Sequence, residues 1–396
     1  MSLQDTPRAN RIHIGLFGKR NSGKSSLINA LTGQEVAVVS EYAGTTTDPV
    51  YKSMEIHSIG PCVFIDTAGL DDEGELGELR VRQTLRAMDR TDIALLVCTD
   101  TDVSREKQWK DMLAEKNIPV IVLLNKSDLL EDPLATARAI EQQLQQVPLI
   151  VSAVNNSNIE DIRRALIGKL PDETMSTGIT GRLVKENDVV LLVMPQDIQA
   201  PKGRLILPQV QTLRELLDRK CIVSCCTTDK LQATLGALAQ PPALIITDSQ
   251  VFKTVYEQKP PESRLTSFSV LFAQYKGDID YYLEGANAIN RLTEQSRVLI
   301  AEACTHAPLT EDIGRVKIPA MLRKRFGQGL TIDIVSGADF PEDLTPYQLV
   351  IHCGACMFNR KYVLQRIAQA RKQQVPMTNY GVTIAYVQGI LDKIDY

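Results

Sequence analysis

This sequence of 396 residues lacks any apolar run approaching the roughly 18–20 residues that a membrane span requires. Its hydrophobic stretches, such as "VVLLVM" at 189–194, stop far short. Basic excess is also missing: 44 Lys and Arg stand against 48 Asp and Glu, a net charge of −4, which argues against a nucleic-acid binder. The opening "MSLQDTPRANR" has no apolar core, which argues against a signal peptide. No repeat period or low-complexity tract is present. With 44% hydrophobic and 23% charged residues there is no disordered bias either. These absences predict a cytoplasmic protein whose partners include neither membrane nor nucleic acid. In a reducing compartment its eight cysteines are expected as free thiols or metal ligands.

The length suits roughly two to four domains. Residues 10–170 alternate apolar strands ("RIHIGLFG", "CVFIDTAG", "IALLVCT", "IPVIVLLNKSD", "VPLIVSA") with helical stretches, which implies crossover connections and a mostly parallel sheet. "LPDETMSTGITGR" (170–182) reads as a linker. A second alternating series starts at "DVVLLVM", and "PPES" (260–263) marks a further boundary. After it come a strand "LTSFSVLFA", a helix across 278–291, strands "SRVLIAEAC", "LTIDIV" and "YQLVIHC", and a helix across 359–374. The expected fold class is α/β: three consecutive α/β domains over 8–172, 182–262 and 263–396. The first would be a P-loop domain with a mostly parallel sheet.

"GKRNSGKS", Gly18 to Ser25, fits G-x-x-x-x-G-K-[ST] between a strand and a helix, the context that the motif needs. Gly18 and Gly23 let backbone N–H groups approach phosphates, and the helix N-terminus adds a favourable dipole. Lys24 would bind the β- and γ-phosphates. Ser25, with Ser26 beside it, opens the helix, and the Ser25 hydroxyl would bind Mg²⁺. "DTAG" ends a strand, where Asp66 can hold the Mg²⁺ shell and the Gly69 amide can meet the γ-phosphate. "NKSD" ends another. There Asp128 offers two acceptors to the N1–H and exocyclic amine of guanine, a pair of donors that adenine lacks. Asn125 and Lys126 brace that loop, and "VSA", with Ser152 and Ala153, supplies a backbone amide near guanine O6.

In order and spacing these motifs resemble the G-protein family, so GTP and GDP are the expected ligands. "EYAGTTTDP" is similar to the G-T-T-R-D switch of the tRNA-modification and Era-like GTPases, with Thr47 in place of arginine. That alignment implies that Thr46 binds Mg²⁺ in the GTP state. Asn21 occupies the position that helps coordinate K⁺ in related potassium-activated GTPases; the plainer reading is a turn residue. Leu70 stands where Ras-like proteins carry the glutamine that orients the attacking water, so unaided hydrolysis should be slow.

Far downstream, "AEACTHAPLT" and "QLVIHCGACMFNRK" together give C-x-H, a gap of 45 residues, then H-C-x-x-C: Cys304, His306, His352, Cys353 and Cys356. Two of the chain's four histidines lie in this pattern. Both halves follow apolar strands, whose carboxyl ends share one edge in a parallel sheet. Cys353 and Cys356 are expected to begin a helix, whose dipole favours thiolate. Four readings stay open: buried cysteines with hydrogen-bonded histidines, a zinc site, a redox pair in "CGAC", or an iron–sulfur cluster on three cysteines.

A G domain of this subtype followed by C-x-H and H-C-x-x-C resembles the HydF family, the maturation GTPases of [FeFe]-hydrogenases, over the whole chain. The resemblance implies a [4Fe-4S] cluster on Cys304, Cys353 and Cys356, with His306 and His352 as ligands or neighbours. It implies a homodimer built through the central domain, a transient diiron subcluster precursor as cargo, and delivery to apo-[FeFe]-hydrogenase. It further implies work alongside radical-SAM maturases of the HydE and HydG type. A zinc-containing GTPase of the Era and TrmE kind acting on RNA or the ribosome is the alternative.

Cys221, Cys225 and Cys226 on the strand "CIVSCCT" read as core thiols, as do Cys62 and Cys98. The cations of "LRKRFG" complement the C-terminal dipole of a helix that stops before Gly327. Segment 183–260 carries no catalytic constellation, so assembly is its expected role.

Overall fold

In the computed structural model the chain is described over residues 11–32, 50–56, 60–67, 83–169, 178–195, 205–302, 312–337, 339–355 and 358–396. It divides into two compact units, Met1–Thr174 and Met175–Tyr396.

The first unit holds a six-stranded sheet in the order β2-β3-β1-β4-β5-β6. Its strands are β1 Ile12–Gly18, β2 Val50–Ile56, β3 Gly60–Asp66, β4 Ile93–Cys98, β5 Val120–Leu124 and β6 Leu149–Ile150. All neighbours run parallel except β2, which pairs antiparallel with β3 at one edge. That edge strand, "VYKSMEI", mixes charges into its apolar positions and escaped the sequence reading. The alternation along β1 sends its side chains to opposite faces. Ile14 and Leu16 pack with Leu27, Ile28 and Leu166 from the helices Lys24–Thr32 and Ile159–Lys169. Phe17 joins Trp109 and Ile140 of the helices Ser104–Glu115 and Pro133–Leu144 on the other face. A sheet buried on both faces explains the near-continuous apolar runs in β4 and β5.

The second unit holds two all-parallel four-stranded sheets. One has the order β10-β9-β7-β8, from β7 Val189–Val193, β8 Ile222–Cys226, β9 Leu244–Thr247 and β10 Arg264–Ser267. The other has the order β12-β11-β13-β14, from β11 Arg297–Glu302, β12 Thr331–Ser336, β13 Leu349–His352 and β14 Met377–Asn379. Leu191 and Ile245 of the first share one apolar cluster with Leu299 and Ile351 of the second.

Four local expectations are corrected. Strand β10 joins the middle sheet through β9, so the third domain does not open at 263. The run "LTSFSVLFA" turns helical at Phe268, because the Ser267 side chain caps the helix Phe268–Lys276 by accepting from the Val270 N–H. An apolar run buried on all sides carries no period by which strand and helix differ. The linker is also shorter than expected. Thr180 is fully buried, and the Glu215 carboxylate accepts from the backbone N–H groups of Ile179 and Thr180 and from the Thr180 hydroxyl. Finally, β8 is an edge strand: Cys221 is buried, but Cys225 is exposed, Cys226 half-buried and Ile222 57% exposed.

Candidate functional site

In the first unit the loop between β1 and the helix Lys24–Thr32 is fixed by two left-handed residues, Asn21 (φ 58°) and Gly23 (φ 86°). A Cβ on Gly23 would lie 2.4 Å from Asn125 Nδ2, so the loop and the Asn125 amide fit only with glycine there. A Cβ on Gly18 would meet the Val97 carbonyl at 2.6 Å. Asn125 Nδ2 donates to the Ser22 carbonyl at 2.8 Å, and Asn125 Oδ1 accepts from the Ala153 N–H at 3.2 Å. Three loops from β1, β5 and β6 are thereby tied together by one buried amide. Lys126, left-handed at φ 59°, turns the chain so that Asp128 follows, and Ser152 Oγ donates to Asp128 Oδ1 at 2.5 Å.

The buried Lys24 donates to the carbonyls of Gly18 and Lys19 at 2.9 and 2.8 Å, curling over its own loop. Ser25 Oγ lies 2.6 Å from Asp66 Oδ2. These are two hard oxygen donors at the mouth of a phosphate loop, a set suited to Mg²⁺. Asn21 is exposed, Ser26 half-buried, and the Ser22 hydroxyl is buried without a partner among the described residues. Thr46, Gly69 and Leu70 lie outside the described residues.

Sequence reasoning missed Lys19 and Glu106. Lys19 Nζ stands 3.4–4.0 Å from the carboxylates of Asp100, Asp102 and Glu106, tying the phosphate loop to the end of β4. Burial pushes the Glu106 carboxyl above its usual range, against the pull of Lys19. Glu106 is only 1% exposed, although the local sequence "SREKQWK" reads as a solvated helix.

In the second unit β11 and β13 are parallel neighbours, with Ala301 opposite His352. Cys353 follows β13 directly and donates its N–H to the Ala301 carbonyl at 2.9 Å. Cys304, His306 and Cys356 lie outside the described residues. Among the described residues no group of three or more His, Cys, Asp or Glu is placed to hold a metal ion. Cys353 is half-buried, and its Sγ receives the Ala355 N–H at 3.4 Å. Ala355 adopts φ 49° while 2% exposed. A left-handed alanine costs about 1–2 kcal/mol, so the surrounding contacts must hold this turn. The turn postpones the helix: it runs Arg360–Lys372 with Asn359 as its cap, so Cys353 and Cys356 precede it rather than begin it.

His352 is fully buried. Its Nε2 meets Arg366 Nη1 at 2.8 Å and, because arginine can only donate, acts as the acceptor. Nδ1 therefore carries the proton, which it donates to the Cys353 carbonyl at 2.8 Å. Burial, then the Arg366 charge, lowers its pKa to about 3, so the ring is neutral. Both nitrogens are engaged in this arrangement. The hydroxyl of Tyr380 is buried without a hydrogen-bond partner among the described residues.

Comparison with known proteins agrees with this architecture. Residues 13–126 match the family model described as 50S ribosome-binding GTPase, 179–277 the hydrogen maturase F dimerization domain, and 280–394 its tetramerization domain. The chain is similar to a GTPase Der from Wolinella succinogenes, 36% identical over 175 residues (42% of this chain, 37% of the relative). It is also similar to a tRNA modification GTPase MnmE from Nitrosomonas europaea, 31% identical over 189 residues (47% and 41%). It thus spans about two-fifths of the length of these relatives. Among solved structures, Era from Aquifex aeolicus bound to GDP and aluminium fluoride aligns with 54% of this chain and 92% of its own, at 19% identity and a TM-score of 0.37. No described helix is long and apolar enough to cross a membrane. The nucleotide loops of the first unit form a GTP-binding GTPase domain, and the second unit carries two oligomerization domains of hydrogenase maturases; the chain belongs to the hydrogen maturase F family.

Proposed function

We propose that this protein is a slow, K⁺-stimulated GTPase scaffold that carries a [4Fe-4S] cluster, completes the diiron subcluster precursor and delivers it to apo-[FeFe]-hydrogenase. The observation that carries this reading is the Cys353 loop. It is a left-handed turn with an N–H aimed at sulfur, at the end of β13 and beside β11, in a chain of this family. Soft thiolates from Cys304, Cys353 and Cys356 suit iron–sulfur chemistry, and a three-cysteine cluster leaves one iron open to an exchangeable ligand or to cargo. His352, with both nitrogens engaged, orients the loop, which leaves His306 or an outside ligand for the fourth position.

At the nucleotide end Lys24 would leave the loop carbonyls for the β- and γ-phosphates. Ser25 and Asp66 would part to admit Mg²⁺, with Thr46 closing on it in the GTP state. Asp128 reads guanine while Asn125, Lys126, Ser152 and Ala153 hold its loop. Asn21, exposed and left-handed at the loop's apex, would contribute to a K⁺ site. GTP binding would bias docking or release of partners through the switch segments.

Two copies would pair through the middle sheet, whose edge strand β8 exposes Ile222. The protein would act in the cytoplasm with radical-SAM maturases of the HydE and HydG type, and without nucleic acid or membrane. The test is anaerobic reconstitution followed by incubation with apo-hydrogenase. Brown protein containing iron and sulfide, whose precursor-loaded form activates the hydrogenase, is expected. Colourless protein with zinc alone would point to the RNA-directed alternative.

A further inference from the structure

Two cations lie deep in the second unit beside the Cys353 loop, where sequence reasoning placed no functional residue. Lys276 ends the helix Phe268–Lys276 and is 2% exposed. Its ammonium donates to the carbonyls of Ala355 at 3.1 Å and Phe358 at 2.8 Å, one on each side of position 356 in the chain. Arg366 is 3% exposed. It donates to His352 Nε2 at 2.8 Å, to the Gly337 carbonyl at 2.5 Å and to the Tyr362 hydroxyl at 3.0 Å. Phe340 and Tyr362 present ring centres 4.6 Å from its guanidinium carbon, and Phe358 one at 5.4 Å. Its Nε has no hydrogen-bond partner among the described residues.

Burying a cation is costly even after relaxation. Carbonyl dipoles and aromatic faces recover part of that. Among the described residues the groups touching Arg366 are all neutral, so its burial calls for a negative charge nearby. Both cations converge on the segment 353–358, Arg366 through His352 and Lys276 through the loop carbonyls. The left-handed turn at Ala355 is held by the Lys276 contact to its own carbonyl.

We propose that Lys276 and Arg366 are positioning residues that form a preassembled cationic socket for an anionic metal–thiolate centre on the Cys353 loop. This rests on the iron–sulfur reading for the identity of the occupant. Three thiolates outweigh the positive charge of an oxidised cubane core, and reduction adds a further negative charge. The socket therefore favours the reduced cluster, and Lys276 additionally fixes the backbone on both sides of Cys356.

The test uses full-length protein with Lys276→Met, Arg366→Met and the charge-keeping Lys276→Arg and Arg366→Lys. Readouts are iron and sulfide after anaerobic reconstitution, the one-electron reduction potential by EPR-monitored titration, and the melting of the apo form. Both Met variants are expected to melt cooperatively, at a temperature lowered by the acceptors that each leaves without a donor. They should bind at least threefold less iron, and the residual cluster should favour its reduced state about tenfold less, a potential lower by about 59 mV. The charge-keeping variants should hold the wild-type potential. A Met variant that fails to fold is replaced by the Gln variant at the same position, judged by the same potential. Wild-type iron content and potential in the neutral variants would overturn the proposal, as would an equal drop in the charge-keeping ones. If wild-type protein takes up zinc alone, the functional reading fails. The socket then stands if the Met variants hold zinc more weakly, and falls if they hold it equally.

Discussion

Asn125 donates from its side-chain amide to the backbone carbonyl of Ser22 at 2.8 Å, so the "NKSD" loop and the phosphate loop are joined across the carboxyl ends of β5 and β1. The same amide stands where any side chain on Gly23 would collide. The two loops are therefore mechanically one unit, and in the proposed nucleotide site base recognition and phosphate binding would be coupled through Asn125. Asn125→Ala should orphan the Ser22 carbonyl and the Ala153 N–H, each worth about 1–3 kcal/mol when buried unpaired. GTP and GDP affinity should both fall, roughly ten- to a hundredfold. Calorimetric titration of the variant checks this; wild-type affinity would show that the brace is dispensable.

Asp128 accepts a hydrogen bond from the Ser152 hydroxyl, and we propose that it reads the guanine edge. Asp128→Asn should weaken GTP binding and favour xanthosine triphosphate, whose carbonyl can accept from the new amide. Competition between the two nucleotides decides the point, and an unchanged preference for GTP would mean that another residue reads the base.

Asn21 holds a left-handed conformation at the apex of the loop. If it helps bind a monovalent cation against the phosphates, hydrolysis should be slow in Na⁺ and rise markedly in K⁺, because a positive charge there stabilises the transition state as an arginine finger does. Asn21→Ala should lose most of that stimulation. Equal rates in the two salts would exclude the K⁺ site.

Glu106 is a buried carboxyl whose pKa is raised by burial. Below the unfolded carboxyl pKa of about 4.3 both states are protonated and the group costs nothing. As pH rises through that value and on through the higher folded pKa, ionisation favours the unfolded chain and stability is lost. Glu106→Gln should thus melt with the wild type at pH 4 and above it at pH 8. Identical melting at both pH values would mean that Lys19 fully offsets the burial.

Cys304→Ser, Cys353→Ser or Cys356→Ser should each sharply reduce bound iron and sulfide, because a hydroxyl replaces thiolate poorly and a three-cysteine site has no spare. His306→Ala and His352→Ala should retain more cluster while altering its EPR spectrum or its transfer. GTP hydrolysis should persist in all five variants, since none of these residues belongs to the nucleotide loops. Iron retained in every cysteine variant would move the cluster elsewhere.

The P-loop could be read from residues alone because its parts are local. A strand, a glycine-permissive loop and a helix N-terminus lie within a short run from Ile12 to Thr32, and the backbone itself supplies the chemistry. "NKSD" likewise carries Asp128 and its brace Asn125 on one strand end. The β1, β3, β4 and β5 strands were legible because burial on both faces leaves an uninterrupted apolar run. Tertiary packing decided the rest. It paired β10 with the middle sheet, made a helix of "FSVLF", and left Cys225 exposed on an edge where the sequence suggested core. It also engaged both nitrogens of His352 and buried Lys276 and Arg366 beside the Cys353 loop. In sequence Lys276 looks like any lysine at a helix end. Whether such a charge meets water or a loop carbonyl is fixed by chain segments about 80 residues away in sequence, and burial of that kind leaves no local pattern to read.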